Sequence, residues 1–401
     1  MHEHMTILGI ALVILGYGYH SKLLNRYNIS GPMIFALVGA ILSFVGTEPI
    51  KPDANTVQTI AEIALITVLF SDAASINLAH LRREWRLPVR LLFVALPIMI
   101  VISFFAGKLL FPQESPLYIL LLALLLAPTD AALGKAVVSD TRIPETVRNT
   151  INVESGLNDG IVFPVLLTVL AVISKGADGG GWGEYVAEQI AIGALAGGIA
   201  GWAGAKMAIF SDSRGWMEHQ YKNLVPIALA IFSYYLAEHF GGNGYISAFF
   251  SGLILGNTDM ELRKNIEDFA ESEGELLIMV SFLVFGLVFI PISISHIDLQ
   301  SWIYAIASLT LLRMVPVVMG FGFFKLSLPT RLFIGWFGPR GIASILYILV
   351  AVHQLGGIEG HEKIFTVATL TITLSILLHG LSARPLASVF ARYVERRGGE
   401  I

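Results

Sequence analysis

The stretches Ala127-Pro128-Thr129-Asp130 and Gly338-Pro339-Arg340-Gly341 each interrupt a long apolar run with helix-breaking residues and one charged residue. Proline lacks a backbone N–H, so a membrane helix kinks or breaks where it stands. Paired interruptions at matching positions of two halves are the best sequence indication of a transporter's substrate site. The two stretches therefore predict a transporter whose site lies where two broken helices meet.

The composition is typical of a protein embedded in a lipid bilayer. Of the 401 residues, 55% are hydrophobic and only 14% are charged, whereas soluble domains carry about 25% charged residues. The net charge of -4 gives no indication of a nucleic-acid partner, and the absence of cysteine excludes disulfides and thiolate metal sites. The first apolar stretch, Met5 to Leu24, exceeds the ~7–15 residues of a signal-peptide core, so we expect a retained helix.

Apolar runs of about 20 residues predict about thirteen transmembrane spans joined by short loops. The predicted spans are 4–23, 31–46, 56–75, 87–111, 115–138, 147–173, 184–209, 221–240, 242–256, 268–291, 299–324, 328–353 and 363–388. We expect a single membrane domain over residues 1–401, with no separate soluble domain.

The placement of basic residues predicts the orientation, because Lys and Arg accumulate in cytoplasmic loops. Alternate loops carry Lys22, Arg26, Arg82, Arg83, Arg86, Arg90, Lys135, Arg142, Arg148, Lys206, Arg214, Lys222, Arg263, Lys264, Lys325, Arg331, Arg384, Arg392, Arg396 and Arg397. The opposite loops carry Lys51, Lys108, Lys175 and Lys363. This asymmetry predicts an outside N-terminus and a cytoplasmic C-terminus, and it leaves Arg313 and Arg340 inside the membrane.

An odd number of spans gives the two halves of the chain opposite orientations. Spans one to six and eight to thirteen are predicted to form two inverted six-helix repeats joined by span seven. Asp130 and Arg340 then lie in the fifth span of their respective repeats. The predicted fold class is an all-α polytopic membrane protein with inverted repeats and broken helices five and twelve.

Span six carries the segment Glu154-Ser155-Gly156-Leu157-Asn158-Asp159. At helical spacing, Ser155 and Asp159 share one strip of the helix, while Glu154 and Asn158 share the adjoining strip. A charge at the bilayer centre costs about 2.5–3.5 kcal/mol, so each such residue is expected to have a function or a partner.

If Asp130 faces Asp159, the two carboxylates, the Ser155 hydroxyl and a carbonyl freed by the break, such as that of Thr129, form an all-oxygen site. Hard cations prefer oxygen ligands. The four residues therefore predict a site for a hard cation such as Na⁺.

Glu154 requires a partner of its own, and we expect Arg313 to form a buried structural ion pair with it. Two alternatives stay open for Arg340. It either compensates Asp130 when no cation is bound or binds loose carbonyl groups at its own break.

The other acidic side chains and the terminal histidines are not expected to bind the cation. Glu62 and Asp72 are predicted to be solvated or regulatory. The side chains expected at the cytoplasmic mouth or at a solvated terminus are Glu271, Glu273, Glu275, His2 and His4.

The segment Glu154-Ser155-Gly156-Leu157-Asn158-Asp159 resembles the cation:proton antiporter-1 family, in particular prokaryotic NhaP-type Na⁺/H⁺ antiporters related to animal sodium/proton exchangers. Further matches are Pro128-Thr129-Asp130, Arg313 and Gly338-Pro339-Arg340-Gly341. The resemblance extends over essentially the whole chain through the number of spans. It implies the NhaA/NhaP-like fold.

The resemblance also implies a homodimer in the lipid bilayer. A core bundle at 87–175 and 299–390 would move against a dimerisation bundle at 1–86 and 184–291. The residues it implies around the cation are Thr129, Asp130, Ser155 and Asp159, and those that fix the geometry are Asn158, Glu154 and Arg313. In this superfamily an Asn at the position of residue 158 goes with electroneutral exchange of one cation for one proton.

We therefore expect an antiporter of the cell membrane that exchanges Na⁺ or Li⁺ for H⁺, with no enzymatic step and no cofactor. K⁺/H⁺ exchange is the alternative within this class, and a cation channel is the alternative class. An intramembrane aspartyl protease is disfavoured, because residue 158 is Asn where its Gly-x-Gly-Asp loop has Gly, and because its Tyr-Asp pair is absent.

Overall fold

The computed structural model describes residues 2–44, 54–130, 133–175, 182–259, 263, 264, 266, 274–322, 324 and 326–398, and all regular elements in these ranges are helical. The helices are α1 (His2–Arg26), α2 (Gly31–Phe44), α3 (Ala54–Ser75), α4 (Leu78–Arg83), α5 (Arg86–Leu110), α6 (Pro116–Leu125), α7 (Lys135–Val138), α8 (Glu145–Lys175), α9 (Trp182–Ser213), α10 (His219–Lys222), α11 (Leu224–His239), α12 (Gly244–Thr258), α13 (Glu275–Ile294), α14 (Leu299–Leu309), α15 (Leu311–Gly320), α16 (Leu328–Trp336), α17 (Ile342–Gln354) and α18 (Glu362–Arg396).

Several helices have the length and apolarity of membrane spans. Within the described ranges, six are long and apolar enough to cross a bilayer: α5, α8, α9, α13, the α14–α15 pair and α18. Shorter apolar helices are α2, α6, α11 and α17. The chain is thus an all-helical, multi-pass membrane protein. Glu271 and Glu273 lie outside the described residues.

Local sequence determines where several of these helices begin. The Asp298 carboxylate accepts a hydrogen bond from the backbone N–H of Ser301 at 2.8 Å and caps α14. Asn243 caps α12 in the same way through the N–H of Ile246 at 3.1 Å. Such side-chain acceptors satisfy N–H groups that a helix N-terminus leaves free.

The two stretches with Pro and charged residues are both non-helical. α6 ends at Leu125 and α7 begins only at Lys135, while α16 ends at Trp336 and α17 begins at Ile342. Each charged residue, Asp130 and Arg340, therefore lies on non-helical backbone between two half-helices.

A further interruption was not predicted, since residues 299–324 were expected to form one continuous helix. The chain leaves the helical region at Thr310, with φ -117° and ψ -90°, between α14 and α15. The Thr310 hydroxyl donates to the carbonyl of Ile306 at 2.6 Å. Such back-bonding by threonine bends helices, and here the bend directly precedes Arg313.

α3, α9, α11 and α12 pack together closely, as do α2 and α13. A Cβ on Gly252 would overlap the carbonyl of Phe70, and one on Gly256 would overlap the carbonyl of Ala74. Glycines give the same close backbone approach between α2 and α13 and between α9 and α12. Small residues let membrane helices reach backbone contact, so these helices form a tightly packed unit.

The main hydrophobic core surrounds α6, α8, α17 and α18, with Leu122, Phe163, Tyr347 and Phe365 buried at its centre. A second core lies at the ends of α5, α15, α16 and α18. The two broken helices run through this apolar environment, so polar groups at their breaks are removed from water.

Candidate functional site

The two breaks are joined to each other through their backbones. The N–H of Asp130 donates to the carbonyl of Pro339 at 2.8 Å. A helix break frees backbone groups that must find partners inside a membrane. Here the freed groups of one break satisfy those of the other, so the breaks lie in direct contact.

The Asp130 carboxylate caps the second half of the other broken helix. Its Oδ2 accepts from the backbone N–H of Ile342, the first residue of α17, at 2.9 Å, and the side chain is 5% exposed. A Cβ on Gly341 would overlap this carboxylate. A helix N-terminus carries partial positive charge, so α17 stabilises the buried acid.

Hydroxyl groups from the first break and from α8 meet beside this cap. The Thr129 and Ser155 hydroxyl oxygens are 3.2 Å apart. The Asn158 side-chain amide donates to the carbonyl of Ala127 at 3.2 Å and to the Thr129 hydroxyl at 3.4 Å. Asn158 therefore holds the first break against α8, and two hydroxyl oxygens lie together in a buried region.

Asp159 is 2% exposed, and its Oδ1 has no hydrogen-bond partner in the described part of the chain. Tyr347 on α17 donates its hydroxyl to the backbone carbonyl of Asp159 at 3.1 Å. A buried oxygen without a partner is costly unless a ligand or proton satisfies it. The arrangement thus offers a carboxylate oxygen for binding.

Asp159 lies within electrostatic range of both Asp72 and Asp130. The Asp72 side chain is only partly exposed, and its backbone carbonyl lies 3.3 Å from where a Cβ on Gly156 would stand. The sequence predicted a solvated or regulatory role for Asp72. The structure brings it to the region of the other two acids, a relationship between α3 and α8 that no spacing in the sequence indicates.

Glu154 and Arg313 come together as a buried, bidentate ion pair. The Arg313 Nη1 lies 2.5 Å from Glu154 Oε1, and Nη2 donates to Oε2 at 2.7 Å, with both side chains nearly inaccessible. A Cβ on Gly338 would overlap the Arg313 guanidinium. The pair links α8 to α15 and lies directly against the second break.

Arg340 is buried at its own break. Its guanidinium donates to the carbonyl of Gly338 at 2.9 Å, and its backbone N–H donates to the Ser375 hydroxyl at 2.6 Å. Of the two alternatives left open by the sequence, this geometry favours the binding of loose carbonyl groups.

Glu62 is not part of this cluster. It is half-buried, whereas the sequence suggested a solvated or regulatory side chain. Its carboxylate lies close to the side chains of Tyr234 and Tyr235. It lines a cavity of about 400 Å³ between α3, α8, α11 and α17. Glu275, by contrast, is exposed at the start of α13.

Apolar helices with two breaks in mutual contact, around a buried cluster of carboxylates and hydroxyls, define a secondary transporter. The chain belongs to the sodium/hydrogen exchanger family, whose transmembrane region matches residues 9–389. The family predicted from the segment around Asp159 is thereby confirmed.

Relatives of this chain are named as antiporters of different cations. The Schizosaccharomyces pombe protein named probable Na⁺/H⁺ antiporter is 28% identical over 82% of this chain, which spans 44% of that protein. The K⁺/H⁺ antiporter NhaP of Alkalimonas amylolytica is 23% identical over 99% of this chain and 68% of its own. The K⁺/H⁺ antiporter NhaP2 of Shewanella oneidensis is 26% identical over 90% of this chain and 63% of its own.

A solved structure has the same fold. The sodium proton antiporter MjNhaP1 from Methanocaldococcus jannaschii at pH 8 superposes with a TM-score of 0.80 at 20% identity. The match covers 98% of this chain and 100% of that chain.

Proposed function

We propose that the chain is an antiporter that exchanges Na⁺ for H⁺ at Asp159, with Asp130, Ser155 and Thr129 supplying further oxygen ligands. The observation that carries this proposal is the buried Oδ1 of Asp159, which has no hydrogen-bond partner in the described structure. A carboxylate oxygen of this kind binds either a proton or a cation. Competition for one group couples the two ions without a covalent step.

Exchange requires that the site open to one side of the membrane at a time. In the proposed cycle the core bundle (87–175 and 299–390) moves against the dimerisation bundle (1–86 and 184–291) only when Asp159 is neutralised by either ion. Gly156 and Gly160 of α8 face this boundary, since their Cβ positions would meet Ile76, which directly follows α3, and overlap the Phe249 ring of α12. Small residues at this contact support relative movement.

The proposed architecture is about thirteen spans in two inverted repeats, with the N-terminus outside, the C-terminus in the cytoplasm and a homodimer in the cell membrane. The proposed stoichiometry is one cation for one proton. It is supported by Asn158, whose amide is engaged with Ala127 and Thr129 and which adds no charge beside Asp159.

K⁺/H⁺ exchange is the second candidate, because relatives that match 90% or more of this chain are named K⁺/H⁺ antiporters. The same oxygen ligands serve either ion, and cavity size decides between them.

The deciding experiment uses liposomes that contain the purified protein and a pH-sensitive dye. A proton gradient is imposed, and Na⁺, Li⁺ or K⁺ is added to the wild type, to Asp159→Asn and to Asp140→Asn. Asp140 pairs with Arg142 on an exposed loop away from the site. Asp140→Asn is therefore the control, because it also replaces one carboxylate with an amide.

Cation-dependent dissipation in the wild type and in Asp140→Asn, lost in Asp159→Asn, supports the proposal and names the ion. Dissipation that responds to an imposed membrane potential would contradict one-for-one exchange. Exchange that persists in Asp159→Asn, or large unitary currents in a planar bilayer, would overturn the proposed mechanism and favour a channel.

A further inference from the structure

His379 lies on α18, is 1% exposed, and has no part in the cation site described above. Its ring spans the distance between α18 and the second helix break. Nε2 lies 3.0 Å from the carbonyl of Trp336, the last residue of α16. Nδ1 lies 3.1 Å from the carbonyl and 3.2 Å from the hydroxyl of Ser375, one turn earlier on α18.

Ser375 connects this ring to the break itself. Its hydroxyl oxygen accepts from the backbone N–H of Arg340 at 2.6 Å. The same peptide unit carries the carbonyl of Pro339, which accepts from the N–H of Asp130 at 2.8 Å. The Pro339–Arg340 peptide is therefore held on one edge by Ser375, which in turn contacts His379, and on its other edge it holds Asp130.

The neighbouring atoms determine where the imidazole carries its proton. The Trp336 carbonyl can only accept, so Nε2 must bear the hydrogen that bonds it. The Ser375 hydroxyl already accepts from Arg340 and has its own hydrogen to donate to the lone pair of Nδ1. The opposite tautomer would donate from Nδ1 to the Ser375 carbonyl, but it would place the Nε2 lone pair against the Trp336 oxygen and remove the Nδ1 acceptor of the Ser375 hydroxyl.

A doubly protonated ring would bond both carbonyls, but it would add a third positive charge to this region. The charged groups that act on His379 are Arg340 and Arg313. The Arg313 charge is balanced by Glu154, which leaves Arg340 facing the ring. A buried imidazolium beside that guanidinium is unfavourable.

We propose that His379 is a positioning residue of the exchange site, which as a neutral Nε2–H donor holds the Trp336 carbonyl and, through Ser375, fixes the peptide that supports Asp130. This inference rests on the proposed exchange at Asp159 and deepens it. It assigns the ring a fixed hydrogen-bonding role, and it excludes His379 as a group whose titration drives transport.

The test compares variants that keep or remove single atoms of this arrangement. His379→Gln retains an amide N–H at the place of Nε2, whereas His379→Asn reaches only the place of Nδ1. Ser375→Ala removes the acceptor of the Arg340 N–H. Ser382→Ala is the matched control, because Ser382 lies on the same helix and, within the described residues, its hydroxyl bonds the Trp336 indole N–H, at 3.0 Å, and the carbonyl of His379, but not the Pro339–Arg340 peptide.

Exchange is measured in liposomes as a function of cation concentration and pH, and cation binding is measured by calorimetry in detergent. His379→Asn and Ser375→Ala are expected to raise the cation KM and Kd roughly 3- to 10-fold, the effect of one lost hydrogen bond. The KM and Kd of the double variant should rise no further than those of the more impaired single variant, because both residues act through one peptide. His379→Gln and Ser382→Ala should keep the wild-type KM and pH profile.

An unchanged KM and Kd in His379→Asn and Ser375→Ala would overturn the inference. So would a folded His379→Gln whose pH profile shifts or whose exchange is lost, since the imidazole itself would then be required. If His379→Asn does not fold, Ser375→Ala and His379→Gln decide. Cation binding distinguishes a failure of this inference from a failure of the proposed function, because it is measured without transport. If the proposed function is wrong, Asp159→Asn binds the cation as the wild type does; if only this inference is wrong, Asp159→Asn loses binding and the His379 and Ser375 variants keep it.

Discussion

The carboxylate of Asp130 accepts a hydrogen bond from the backbone N–H of Ile342 at 2.9 Å. An acid from one broken helix thus caps the second half of the other. The positive end of α17 stabilises the Asp130 charge, whereas the Oδ1 of Asp159 has no hydrogen-bond partner among the described residues. Under the proposed function the two carboxylates have different roles, Asp130 as a fixed negative charge and Asp159 as the group that exchanges ions.

Replacing Gly341 with alanine tests this cap. A Cβ there would overlap the Asp130 carboxylate, and because both groups are buried, neither can move away freely. We expect Gly341→Ala to destabilise the protein by about 1–3 kcal/mol, the usual cost of overpacking, and to weaken cation binding. Gly198→Ala is the control, since its Cβ meets open space on α9. Equal thermal stability of the two variants would contradict the cap.

Removing the hydroxyl of Tyr347 tests the support of Asp159. Tyr347→Phe loses the donor to the Asp159 carbonyl and leaves the carboxylate intact. We expect the cation KM to rise roughly 3- to 10-fold with little change in fold. Tyr304→Phe removes a comparable buried hydroxyl bond, to the Ser103 carbonyl at 3.2 Å, and should leave the KM unchanged. Equal KM values in Tyr347→Phe and Tyr304→Phe would show that the Tyr347 hydroxyl does not support Asp159.

The ion pair between Glu154 and Arg313 is predicted to act on stability. Glu154→Gln leaves the Arg313 charge buried without its partner, at a cost of about 3–5 kcal/mol. Adding Arg313→Met should restore part of that loss, because the unpaired charge is then removed. Thermal unfolding in detergent measures both changes. A loss below about 1 kcal/mol, the size expected for the exposed Asp140–Arg142 pair, would argue against a structural role.

The ion pair between Asp298 and Lys363 predicts a dependence of stability on pH. Burial alone would raise the pKa of Asp298, but its bonds to Lys363 and Ser301 outweigh this and lower the pKa from 3.8 to about 2. A lowered pKa stabilises the fold above the unfolded value of 3.8, and that contribution is lost as the pH falls toward 2.

The unfolding temperature of the wild type should therefore fall more steeply than that of Asp298→Asn between pH 3.8 and about 2. Above this range, the wild type should be the more stable of the two. Parallel curves across the range would show that the bond to Lys363, at 2.6 Å in the structure, contributes nothing to the fold.

Several features of the site could be predicted because they depend on residue type at fixed spacing. Proline and glycine identify both breaks, and the helical period places Ser155 with Asp159 and Glu154 with Asn158. The partnership of Asp130 with Ile342 could not be predicted, because it depends on how two breaks lie in space. The position of Asp72 and the bend at Thr310 depend on tertiary packing in the same way.

α8 presents different residues on different sides: Ser155 and Asp159 belong to the proposed cation site, whereas Gly156 and Gly160 face α3 and α12. Because the second pair lies apart from the proposed cation ligands, we expect a methyl group added there to slow the turnover of the proposed cycle while leaving the preference among cations intact. Speed and selectivity can therefore change independently within one helix.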